Sequence, residues 1–120
     1  MAELVHRVAG IPTAWERWDG DVRVPPGTEM LMNATTLGAA PLLAPVPVIW
    51  ESLEAPPTAV DVITNPRITP FLEAARAHGC TVVDGVEMLV QLAMQLFEAW
   101  TGVAPAEEVF QQAVAAALDG

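Results

Sequence analysis

An α/β fold, a parallel sheet covered by helices on both faces, is what this sequence predicts. Three observations carry that expectation. Short apolar or β-branched runs at residues 29–35, 59–63 and 81–83 read as buried strands. Helical periodicity follows the second and third of them, over residues 69–78 and Gly85–Thr101. Strands and helices alternating at that spacing imply βα units, which lay parallel strands side by side with helices on their faces.

Taken in order, residues 2–9 read as the tail of an amphipathic helix with Leu4, Val5 and Val8 on one face and Gly10 closing it. So short a helix is marginal alone, and no capping residue precedes it. Residues 14–18 read as a short strand ended by the Asp19-Gly20 turn, and residues 24–27 as a loop. The run at 29–35 ends in small polar residues. Residues 38–47 are loop-like, residues 48–50 a brief strand or helix start, and Pro56-Pro57 a breaker.

The run at 59–63 is the strongest strand in the chain. Thr69 then suits an N-cap with Pro70 in the first helical position, where its missing N–H costs nothing. Gly79 supplies the left-handed stop. In Gly85–Thr101, Leu89, Leu92, Ala93, Leu96 and Trp100 are expected to face the core, and Glu87, Gln91, Gln95 and Glu98 the solvent. Pro105 opens a last helix, with Glu107 and Glu108 near its positive end and Val109, Phe110, Ala113, Val114 and Ala117 facing inward.

Composition narrows the function classes. A chain of 120 residues, 52% hydrophobic, forms one domain with a real core and is not a disordered composition. Its net charge of -10 repels phosphate backbones, so no nucleic-acid partner is expected. Residues 39–50 form the longest apolar run, but Pro41, Pro45 and Pro47 interrupt it, so no membrane helix is expected. The N-terminus has no basic region followed by an apolar core; the expected location is cytoplasmic. A lone Cys80 forms no internal disulfide, and no cysteine–histidine cluster predicts a metal site.

Ligands of an open α/β sheet bind beyond the carboxyl ends of its strands. Three such ends carry suggestive residues: Asn33-Ala34-Thr35, Thr64-Asn65-Pro66 and Asp84-Gly85. Asn33 and Thr35 offer small polar groups suited to a flat ring, though turning the chain is the commoner job for such residues. Gly85 permits close backbone approach, or simply a tight turn. Asp61 lies in a buried run, where a carboxylate bonded to its surroundings is more frequent than a catalytic one. His6 and His78 read as surface residues, and Cys80 as an inert core thiol.

The segments Asn33-Ala34-Thr35, Asp61-x-x-x-Asn65-Pro66-x-x-Thr69-Pro70, Gly79, Gly85-x-x-Met88-Leu89 and Phe97-x-x-Trp100-x-Gly102 occur in the order found in shikimate/quinate dehydrogenases. The chain resembles that family over most of its length. The resemblance implies that residues 1–120 are the C-terminal portion of a Rossmann-like dinucleotide-binding domain, beginning after its Gly-rich turn, with residues 1–27 loosely attached.

It implies an oxidoreductase that transfers a hydride between NADP or NAD and a cyclic hydroxy-acid. In the family a lysine–aspartate pair in another domain handles the proton. This sequence has no lysine, so no catalytic residue is expected in it, the chain alone is expected to be inactive, and cofactor binding is expected to be weak or absent. By the same resemblance Asn33, Ala34 and Thr35 line the cofactor groove, Val62 abuts the nicotinamide, Gly85 approaches it through backbone and Met88 packs close to it.

The substrate positions depart from the family. Thr64 stands where the family usually has tyrosine, and Leu92 where it has glutamine. Gln91 is next to Leu92 but points about 100° away on a helix. Glu87 replaces a residue that is commonly glycine. A parent sheet lacking its first strands has an open edge, which implies self-association. The alternative to an enzyme portion is an interaction module or pseudoenzyme subunit that completes its sheet with a partner chain.

Overall fold

The computed structural model describes residues 2–118, and the side chains of Ala2, Glu3, Val5 and Leu118 lie outside that description. Its centre is a parallel sheet of β2 (Met30–Asn33), β4 (Thr58–Asp61) and β5 (Thr81–Val83), in the order β2-β4-β5. Leu31, Ala59 and Val82 lie in register across the three strands. A second, two-stranded parallel pair joins β1 (Val22–Arg23) to β3 (Val48–Ile49), and a 3-10 turn follows at Trp50–Ser52.

Helix α2 (Pro70–Ala77) links β4 to β5 as a βαβ crossover. Thr69 caps it, its hydroxyl accepting from the Leu72 N–H, and Pro70 opens it as expected. The chain leaves through Gly79 at φ +82°, a left-handed turn suited to glycine. One face of α2 buries Phe71, Leu72 and Ala75 against Ala59 and Cys80, ringed by Leu31, Val82 and Trp50. Complete burial of Leu72 contributes roughly 2 kcal/mol. The ring of His78 stacks on Trp50, and its Nδ1–H donates to the Ala74 carbonyl at 2.8 Å.

Helices α3 (Gly85–Thr101) and α4 (Glu107–Leu118) follow, packed on each other with Phe97 edge-on to Phe110. Here the expected inward face is not the buried one. Val86 and Val90 are buried, whereas Leu89, Leu92 and Leu96 are each about half exposed and Trp100 is 80% exposed. The reason is length. Seventeen helical residues extend about 25 Å, while strands of three or four residues extend roughly 10–13 Å, so α3 overhangs the sheet after its second turn. On α4, Phe110 and Val114 are half-buried, but Val109, Ala113 and Ala117 are exposed.

Residues 14–18 form no strand, and Trp15 is 80% exposed. A lone extended segment has no ladder to join, and the pairing is made instead by Val22–Arg23. Helix α1 (Ala2–Ala9) is present and closed by Gly10 at φ +68°, with Leu4 and Val8 exposed.

Candidate functional site

The carboxyl ends of β2, β4 and β5 lie side by side, and a buried hydrogen-bond network fastens the first two. Asp61, completely buried, ends β4. Its Oδ2 accepts from Thr69 Oγ1 at 2.6 Å and from Asn33 Nδ2 at 3.1 Å, and its Oδ1 accepts from the Ile63 N–H at 3.0 Å. Each donor offsets part of the cost of burying a carboxylate. Asp61 therefore ties the end of β2 to the cap of α2.

Asn33 is itself spent on this network. Its amide also donates to the Leu37 carbonyl, and its Oδ1 accepts from both the N–H and the hydroxyl of Thr35. These bonds turn the chain after β2 and leave Ala34 and Thr35 exposed at the sheet end. The Val62 N–H donates to the Asn33 carbonyl at 3.1 Å, placing Val62 beside Ala34.

At the third strand end, Asp84 caps α3 by accepting from the Glu87 N–H at 2.8 Å, and its other oxygen pairs with Arg67 Nε at 2.8 Å. That pairing raises the guanidinium above its already high ordinary pKa. Gly85 sits against the end of β4. A Cβ built there would stand 2.3 Å from the Ile63 carbonyl oxygen and 2.7 Å from the carbonyl carbons of Val62 and Ile63. No side chain fits between these two backbones, so glycine is what lets α3 start so close to β4.

Beside this edge an open pocket of about 740 Å³ lies between the 64–67 loop, the first half of α3, and α4. Thr64, Asn65, Arg67, Glu87, Gln91, Glu107 and Gln111 supply its polar lining, and Val86, Val90, Ala115 and Ala117 its apolar one. Glu107 Oε1 accepts from Gln111 Nε2 at 2.7 Å and, more weakly, from Gln91 Nε2 at 3.4 Å.

Of the residues singled out by sequence, Thr64, Asn65, Glu87 and Gln91 meet in this pocket. Leu92 does not line it and is half exposed on another side of α3. Ala34, Thr35, Val62 and Gly85 line up along the strand ends instead, and half-buried Met88 lies one turn into α3. Arg67, Glu107 and Gln111 were not singled out. The Glu107–Gln111 spacing of four places both on one helix face, but only the tertiary fold brings that face to Thr64. Cys80 is buried, and burial pushes its thiol pKa up. Among the described residues no group of histidine, cysteine and carboxylate side chains is arranged for a metal.

No family model matches the chain. A shikimate dehydrogenase (NADP(+)) from Archaeoglobus fulgidus is 38% identical over 90 residues, which are 75% of this chain and 34% of that protein. The chain thus spans about a third of the length of the curated relatives it matches. Several solved structures resemble it. The 5-ketofructose reductase of a Gluconobacter strain aligns with TM-score 0.80 and 35% identity, over 94% of this chain and 42% of that one. The shikimate 5-dehydrogenase of Thermus thermophilus, in complex with NADP(H) and shikimate, aligns with TM-score 0.65 and 32% identity, over 74% and 34%. The parallel α/β architecture is therefore a partial Rossmann-like sheet with its covering helices.

Proposed function

Because this chain belongs to the shikimate/quinate dehydrogenase family, we propose that it forms the nicotinamide side of an oxidoreductase cleft, as the C-terminal portion of a dinucleotide-binding domain. The whole enzyme would exchange a hydride between NADP or NAD and a small hydroxylated substrate, which in the family is a cyclic hydroxy-acid. The observation that carries this reading is the row of strand ends. Three parallel strands in the order β2-β4-β5 set Ala34 and Thr35, then Val62 to Thr64, then Gly85 along one edge.

The residues fit one end of the cofactor. Ala34 and Thr35 are small and exposed, and Val62 and Met88 are half-buried, a combination suited to a flat ring. Asn33 contributes through its backbone, since its amide is committed to Asp61 and Leu37. Gly85 holds α3 against β4 and so sets the width of the groove. The bound dinucleotide supplies the hydride acceptor or donor. The sequence contains no Gly-rich turn for a pyrophosphate, so affinity for the isolated chain is weak.

Without a lysine, these 120 residues lack the family's proton-handling pair and transfer no hydride by themselves. Purified chain supplied with NADP+ and shikimate or quinate should reduce no cofactor above a blank; steady turnover would overturn this reading. On this reading the segment up to residue 27 is attached loosely, and the contacts of its described part run through β1 and the bond from the Val24 N–H to Ser52 Oγ at 2.9 Å. Strong hydrogen-exchange protection throughout residues 2–18 would contradict that.

A second reading, a non-catalytic interaction module or pseudoenzyme subunit, is favoured by the free edge of β2, where Met30 and Met32 are 58% and 49% exposed. Such an edge is a template for a strand of a second copy or a partner. Mass rising with concentration and no cofactor binding would favour it. The cytoplasmic location stays part of the proposal; among the described residues no helix is long and apolar enough to cross a membrane.

A further inference from the structure

We infer that the pocket beside Thr64 selects an uncharged polyhydroxylated ligand over one bearing a carboxylate; this rests on the reading that Thr64 stands at a substrate-facing position. Its volume of about 740 Å³ is within the range of small-ligand sites, roughly 300–1,000 Å³. Its charge is the first argument. The cation lining it is Arg67, whose Nε is already given to Asp84 at 2.8 Å. Glu87 and Glu107 also line the pocket, so with Asp84 three carboxylates stand against one guanidinium. The chain's net charge of -10 adds to the same sign. An incoming carboxylate meets net repulsion, because the one guanidinium lining the pocket already shares its charge with Asp84 and faces Glu87 and Glu107 as well.

Hydrogen-bond chemistry is the second argument. A ligand carboxylate only accepts, whereas a hydroxyl both donates and accepts. Glu107 is held by the amides of Gln111 and Gln91 through Oε1, which leaves Oε2 to accept from a ligand hydroxyl. Thr64, with a short side chain and a hydroxyl, and the two glutamines can each exchange hydrogen bonds with further hydroxyls. Val86 and Val90 offer an apolar floor to the C–H face of a sugar. Every polar feature of the pocket suits a polyol, and the carboxylates count against an acid.

Amide NMR on the purified chain tests this with D-fructose and sorbitol as neutral probes and shikimate as the anionic one, at matched ionic strength. Fructose or sorbitol should shift Thr64, Gln91 and Gln111, with shikimate at least about five-fold weaker. Both glutamates are exposed, so E87Q and E107Q keep the fold, and each should strengthen shikimate binding about two- to five-fold, the worth of a surface charge pair. Shikimate binding as tight as the neutral probes, or no shift from any of the three, would overturn the inference. NADPH added to the same sample reads the family-based proposal separately, through Ala34, Thr35 and Met88. Sugar binding without NADPH shifts would defeat that proposal and leave the pocket's selectivity standing; the reverse pattern would do the opposite.

Discussion

Replacing Gly85 with alanine asks whether the contact between α3 and β4 is as tight as the geometry says. The added Cβ would lie 2.3 Å from the Ile63 carbonyl oxygen and 2.7 Å from two carbonyl carbons. Ordinary contact begins near 3.4 Å, so about 1 Å of separation must open between two backbones, with no flexible side chain to yield. Overpacking of this kind costs roughly 1–3 kcal/mol, and a clash with three backbone atoms belongs at the upper end. With an unfolding entropy of about 2.1 cal/mol/K per residue over 120 residues, ~3 kcal/mol lowers Tm by about 12 °C.

Gly27→Ala is the control. Gly27 has open space around it and φ +72°, so alanine there costs only the left-handed penalty of about 1–2 kcal/mol. Thermal unfolding followed by circular dichroism, with urea midpoints as a second reading, compares the two. A G85A protein that loses less stability than G27A would refute the close-approach account. If G85A were stable yet failed to bind NADPH, the glycine would be serving the cofactor alone.

Three further outcomes follow from the same geometry. Asp61→Asn should cost about 1–3 kcal/mol in urea unfolding, because an amide turns one acceptor into a donor facing Asn33 Nδ2; no change would mean the network is ornamental. Arg67→Ala should cost under about 1 kcal/mol, since the guanidinium is 62% exposed and the pair is screened, whereas Asp84→Ala loses the cap as well and should cost about 1 kcal/mol more. Cys80 carries a raised thiol pKa in the folded chain. The unfolded chain ionises first, so the stability this burial protects is intact below the unfolded thiol's pKa, about 8.5, and declines as pH rises from there toward the folded value. Urea midpoints of the natural chain should fall more steeply than those of C80A between mildly and strongly alkaline pH; parallel curves would contradict the assignment.

Local chemistry was legible wherever one residue does one backbone job. Thr69 and Pro70 start α2 and Gly79 ends it, and each can be read from residue type and spacing, whereas the cap that Asp84 gives α3 came only with the structure. The three β-branched or apolar runs became the three strands of the central sheet, with bounds shifted by a residue or two. What sequence did not disclose is which apolar face is covered. The stripe from Leu89 to Trp100 is as regular as a core face, but periodicity shows only that a face is apolar and says nothing of how far the sheet beneath it extends. The extended reading of residues 14–18 failed for a related reason, since a strand exists only with a neighbour to pair with. In the candidate site, Thr64 was readable, but Glu107 and Gln111 lie some forty residues further along the chain, and only the folding of α4 against α3 brings them to it.

The central claim is that this chain forms the nicotinamide side of a dehydrogenase cleft, and amide NMR during an NADPH titration tests it most directly. Weak, saturable shifts are expected, confined to Ala34 and Thr35, to Val62 through Thr64, and to Gly85 through Met88, with no cofactor turnover by the chain alone. Shifts elsewhere, or none at these strand ends at saturating NADPH, would contradict it.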